Sequence, residues 1–229
     1  MSNTKDHPVQ ARPIEEGVHE IPMELAETLE PLRPILQEAC LNAQRRLTNF
    51  AKKHCWERHI QKPFARLFRV HADKRSFDTA LLETCGLDPT TDLPATYCAA
   101  LEQEVLMCVS PELYRSLYPE GDEENAFEKL LTHEMAHRLH IRILNGDEDA
   151  MGAVWFYEGF AIHAAGQFEK NAPVLNAEEL WEIVLDPQRG SYRRYASVFQ
   201  NFVKKVPIQD LVERAGKDDF VPWLKEISR

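Results

Sequence analysis

His133, Glu134 and His137 stand in the pentapeptide His-Glu-Met-Ala-His, the pattern HExxH. On an α-helix, residues four apart lie one turn apart on the same face. Both imidazoles can therefore reach one metal ion, and Glu134 projects beside that ion's open position. Two fixed nitrogen ligands and a carboxylate able to take a proton from water are what a zinc hydrolase requires. The surrounding residues support the helix. Ala126, Phe127, Leu130, Leu131, Met135 and Leu139 are apolar at helical spacing through the motif. Asp122, Glu123 and Glu124 supply negative charge at the expected first turn, and Asn145-Gly146 supplies a stop.

A third ligand is needed. His140 lies a further turn along the same helix and cannot close the tetrahedron with His133 and His137. The metzincin solution uses a Gly to bend the chain before a third His, and no such Gly is present. Glu158 is the better choice. It lies in Trp155-Phe156-Tyr157-Glu158-Gly159-Phe160-Ala161, an apolar segment in which an unpaired carboxylate is costly. One zinc ion per chain, held by His133, His137 and Glu158, is the expectation.

HExxH followed by a Glu in a WxxEGFA-like context resembles the gluzincins, and most of all their aminopeptidase-N-like branch. Ala99-Ala100-Leu101-Glu102-Gln103 is similar to that branch's GAMEN strand, with Ala, Leu and Gln standing for Gly, Met and Asn. The likeness runs from about Ala99 to Phe202. It implies a zinc peptidase of zincin-like (thermolysin-like) fold, with Glu134 as general base. It also implies that Glu102 grips the substrate's free amino terminus at the edge of the cleft. A tyrosine ahead of a late helix faces the zinc in this family. Tyr192 fits that place best and Tyr195 is the alternative. Their phenol would donate to the oxyanion that forms as water attacks the carbonyl.

The chain departs from the family in three ways. Twenty residues separate His137 from Glu158, slightly more than is usual in the branch. Ile162 stands where the thermolysin-like branch carries an Asp that orients a zinc-bound His, so that partner must come from elsewhere. Asp147, Glu148 and Asp149 are candidates by proximity in sequence. The large β domain that precedes the catalytic domain of aminopeptidase N has no room here. An endopeptidase using the same site, or a noncatalytic zinc-containing binding protein, therefore stands beside the aminopeptidase reading.

The other histidines carry less. His163 is off the face of Glu158. His54, His59 and His71 lack ligand spacing, and His7 and His19 fall in the expected N-terminal arm. All are read as structural. Met151-Gly152 precedes the third ligand and so is no metzincin Met-turn. Arg45-Arg46 and Lys52-Lys53 read as a solvated basic face.

The 229 residues, 44% hydrophobic, suffice for one good core. With 37 acidic against 27 basic residues, the net charge of −10 argues against nonspecific nucleic-acid binding and attraction to anionic membranes. A peptide or protein substrate is the expected partner. No apolar run is long enough to span a bilayer, and residues 1–12 lack the apolar stretch of a signal peptide. Five cysteines without paired spacing fit unpaired thiols in a reducing compartment, so a cytoplasmic protein is expected.

The coarse pattern is a loose arm over 1–22 and one domain over 23–229. Residues 23–59 read as helical, 66–71 as a strand, and 97–109 as one long strand or two short ones. Helices dominate thereafter. The expected class is helix-rich α+β with a small sheet.

Overall fold

A computed structural model describes residues 11–229. Nine α-helices and two small sheets make up the described residues, so the helix-rich α+β class holds. Strands β1 (Arg12–Glu15) and β2 (Val18–Glu20) form an antiparallel hairpin. The main sheet contains β3 (Met23–Leu25), β4 (Leu67–His71), β5 (Ala99–Glu102) and β6 (Val105–Val109) in the order β3-β4-β6-β5. β3, β4 and β6 run parallel, and β5 lies antiparallel to β6 at the edge.

Two expectations change here. Of the arm expected over 1–22, residues 1–10, with His7, lie outside the described residues, and residues 11–22 are not loose. Val18 is buried, and Gln44 of α1 (Arg33–Lys53) bonds both the N–H and the carbonyl of His19, each at 2.9 Å. Those buried bonds matter more than the exposed ion pairs Arg45–Glu15 and Lys52–Glu16, both at 2.8 Å. His19 is therefore a buried structural residue rather than part of a tail, and the basic face of α1 is partly covered by the hairpin's acids. The second change concerns the stretch expected to be helical from residue 23. It begins with β3 and a 3₁₀ turn over Glu27–Leu32, and α1 starts at Arg33 with Pro34 in its first turn, where a missing N–H costs nothing.

The sheet is covered on both faces, and all of β6 is buried. On one side Phe68, Val70, Leu106 and Cys108 pack with Leu36, Ala43 and Leu47 of α1 and with Leu131, Met135 and Leu139 of α4 (Ala126–Ile143). On the other, Val105, Met107 and Val109 meet Phe77 and Leu81 of α2 (Lys74–Cys85) and Tyr114 of α3 (Pro111–Leu117). Two-residue spacing along the strands produces this division, since alternate side chains leave opposite faces.

The helix α5 (Val154–Ala165) is apolar on nearly every side, with Glu158 its one acidic residue. Such a helix must be enclosed. It is held by α4, by α7 (Tyr192–Val203), and by an aromatic layer that includes Phe156–Phe199 at 5.4 Å and Phe156–Phe220 at 5.3 Å. Phe220 belongs to α9 (Phe220–Glu226), which follows α8 (Ile208–Arg214).

Two glycines set how α5 sits. Gly152, at φ +84°, precedes it, and a Cβ there would lie 2.7 Å from the Ala215 carbonyl oxygen. Met151-Gly152 thus belongs to a close backbone crossing with the C-terminal turn. Gly159 faces α7, where a Cβ would meet Phe199 Cδ2 at 2.8 Å and its Cβ at 2.9 Å. Among the described residues, no helix is long and apolar enough to cross a membrane. Cys40, Cys98 and Cys108 are buried, Cys55 and Cys85 are exposed, and all five are free thiols.

Candidate metal centre

The two motif histidines fall in the middle of α4, where neither helix end can distort their spacing. Thr132 beside them bonds back to the Glu128 carbonyl at 2.8 Å, and the buried face of α4 continues through Met135, Ala136 and Leu139. Glu158 projects from the neighbouring α5. Its Oε2 lies 3.1 Å from His133 Nε2 and 3.6 Å from His137 Nε2, and the two Nε2 atoms are 3.1 Å apart. The carboxylate and His133 are almost fully buried, whereas the His137 side chain keeps 23% of its exposure. Among the described residues, this is the one group of three or more possible ligands whose donor atoms converge.

The donor set fits a tetrahedral cation. Bonds of 2.0–2.1 Å place neighbouring ligand atoms about 3.3 Å apart, and the three observed separations bracket that distance. His133 Nδ1 lies 2.9 Å from Gln167 Oε1, so its N–H points to the amide oxygen. Its Nε2 faces a carboxylate oxygen at 3.1 Å, a contact that needs a proton or a cation between the two atoms.

Gln167 is placed by the end of α5. Gly166, at φ +68°, turns the chain out of the helix, its N–H bonding the His163 carbonyl, while the Gln167 N–H bonds the Ile162 carbonyl at 3.0 Å. The partner for the imidazole thus comes from Gln167 and not from Asp147, Glu148 or Asp149. Those acids lie in the turn between α4 and α5, where Asp147 accepts from the Ala150 N–H. A Gly at position 166 is a residue type that ends helices, but nothing in the spacing signals Gln167.

Arg189, also missed in the sequence, reaches in from the loop between α6 (Ala177–Leu185) and α7. Its Nη1 donates to Glu158 Oε1 at 2.5 Å and to the Tyr192 hydroxyl at 2.6 Å, and its Nη2 lies 3.4 Å from the Tyr157 hydroxyl. The guanidinium also sits over the Tyr97 ring, 5.8 Å from its centre. The two candidate tyrosines part company here. Tyr192 stacks on His133, with ring centres 5.6 Å apart and planes 15° apart. Tyr195 turns away and staples the loop, accepting from the Gly190 N–H and donating to the Gln188 carbonyl at 3.2 Å.

The charges follow from this enclosure. Burial would raise the Glu158 carboxyl, but the His137 and His133 imidazoles hold it well below the usual carboxylate range. Burial raises Glu134 to about 7, helped by the charge of Glu158 and opposed by His133 and Arg189. Burial, followed by the nearby Glu158 charge, pushes the Tyr192 phenol far up, so it remains a donor.

Glu102 lies outside the three converging ligands, at the exposed end of β5. Register pairs it with Val105, on the α2 side of the sheet, and its charge is felt at Cys85 of α2 as well as at Glu134. Burial and the charge of Glu148 raise its own carboxyl. The two-residue turn that follows places Gln103 and Glu104 at φ +46° and +65°, the left-handed pair that a tight hairpin demands. His140 stays outside the metal group, fully buried and stacked on Phe160 at 4.4 Å. His163 packs against Phe50 and Phe199.

No family model, curated protein or solved structure matches this chain.

Proposed function

We propose that the chain hydrolyses peptide bonds with one zinc ion held by His133, His137 and Glu158. The observation that carries this reading is the convergence of three ligand atoms at tetrahedral separations, with Glu134 beside them on the same helix. Zinc would act there as a Lewis acid toward the scissile carbonyl and the attacking water. Glu134 takes the proton from that water and returns it to the leaving amine. Tyr192 donates to the developing oxyanion. Gln167 keeps His133 in the tautomer whose Nε2 faces the site.

Within this reading we favour an aminopeptidase, with Glu102 pairing to the substrate's ammonium group and so fixing the first peptide bond. Its support is the position of Glu102 at the tip of the edge strand and its likeness to the aminopeptidase motif. An endopeptidase would need the same cluster without that anchor. A noncatalytic polar cluster is a further reading, favoured by the Arg189–Glu158 ion pair, which partly satisfies the carboxylate by itself.

One set of measurements separates the three. Glu134→Gln should keep its zinc and lose roughly 10²–10⁴-fold in turnover. Wild-type protein should cut peptides with free amino termini and spare acetylated ones. Equal cutting of both selects the endopeptidase. Full zinc content in a His133→Ala, Glu158→Ala double variant, or near-normal rates in metal-loaded Glu134→Gln, refutes the proposed site.

A further inference from the structure

Glu158 divides its two oxygens. Oε2 faces the imidazoles, while Oε1 is taken by Arg189. The same Nη1 also bonds Tyr192. An arginine has donors only, so the Tyr192 oxygen must accept in this contact. Its own proton is then free for another acceptor. Arg189 is in turn held from both sides, because Tyr195 bonds to the flanking residues Gln188 and Gly190, and Gln188 N–H bonds Asp186 at 2.8 Å. The arginine is 39% exposed while the carboxylate it meets is 3% exposed, so the pair brings a charge from the rim into a dry site.

Resting on the zinc peptidase reading, we infer that Arg189 is a positioning residue that restricts Glu158 to one metal-facing oxygen and turns the Tyr192 proton toward the reacting carbonyl. By withdrawing charge from Glu158, it weakens metal binding while leaving the bound ion more electron-poor. By occupying Oε1, it keeps the carboxylate from adding a second bond, which preserves an open coordination position.

The test uses the full chain freed of metal and titrated with cobalt(II), comparing wild type, Arg189→Met, Arg189→Lys and Tyr195→Phe. Wild type should bind one cobalt with the intense visible absorption of four-coordination. Arg189→Met should bind cobalt roughly tenfold more tightly, with weaker visible bands as Oε1 joins the ion. Its kcat on peptide should fall roughly tenfold with little change in KM, because Tyr192 has lost its holder. Arg189→Lys, which keeps the charge, should lie between the two. If Arg189→Met does not fold, Tyr195→Phe, which frees the loop, should move the cobalt spectrum in the same direction. A merely structural arginine predicts weaker binding when removed. An unchanged spectrum, or weaker cobalt binding in the variants, overturns the inference while leaving the metal site standing. Failure of wild type to bind cobalt removes both.

Discussion

Replacing Gln167 with Met tests whether the contact to His133 serves the metal or only the fold. The 2.9 Å hydrogen bond joins residues that are 5% and 3% exposed, so water cannot readily take its place. Stranding a buried N–H costs about 1–3 kcal/mol. That contact also strengthens as the imidazole donates its Nε2 electrons to a cation, and loss of such outer partners commonly lowers metal affinity roughly 10–100-fold, or about 1.4–2.7 kcal/mol. The two ranges overlap. Zinc Kd measured by competition with a chromophoric chelator at fixed pH should therefore rise by one to two orders of magnitude in Gln167→Met. Gln167→Glu, which offers a stronger acceptor, should bind at least as tightly as wild type. Thermal unfolding of the metal-free proteins supplies the control. A Kd within about twofold of wild type, with metal-free stability lowered, refutes the reasoning and makes Gln167 an ordinary packing contact.

Two more outcomes can be checked on the metal-free protein. Burial lowers His140 from 6.5 to about 3, so the stability it contributes is fully present above pH 6.5 and is lost as pH falls toward 3, at up to about 1.4 kcal/mol per pH unit. His140→Phe should flatten the pH dependence of denaturant unfolding between pH 6.5 and 4.5 by about one proton, and parallel curves would contradict the buried neutral imidazole. Gly159→Ala should destabilise by about 1–3 kcal/mol in calorimetry, despite alanine's better helix propensity, because its Cβ must displace Phe199. A raised or unchanged Tm would contradict the close approach of α5 and α7.

The convergence of His133, His137 and Glu158 was legible because helix periodicity carries spatial information. Four-residue spacing placed His133 and His137 together, and the cost of a lone carboxylate in an apolar helix singled out Glu158 as the candidate to join them. Gln167 and Arg189 act across 34 and 31 residues, and separations of that kind leave no periodic mark in the chain. Their partners could be read only after α5 and α7 had been packed. The same reason explains β3, whose three residues pair with β4 more than forty positions away. The hairpin over residues 12–20 was hidden differently. Its acidic residues and the basic face of α1 each look solvated alone, and only their juxtaposition shows that they cover one another.

The cluster is built from halves of unequal stiffness. His133 is anchored in α4 and Gln167 in the turn that closes α5, both against the aromatic core, whereas Arg189 belongs to an exposed loop stapled by the Tyr195 hydroxyl. Opening that loop would expose Glu158 without unfolding α4 or α5, and such local openings cost far less than global unfolding. For the proposed zinc, exchange with solution would then be governed by the loop's opening rate. Core substitutions that lower Tm would leave the off-rate nearly unchanged, while a single change at Tyr195 would accelerate it with little loss of melting temperature. On the proposed function, the lifetime of the loaded state and the stability of the fold would thereby be separable properties of this chain.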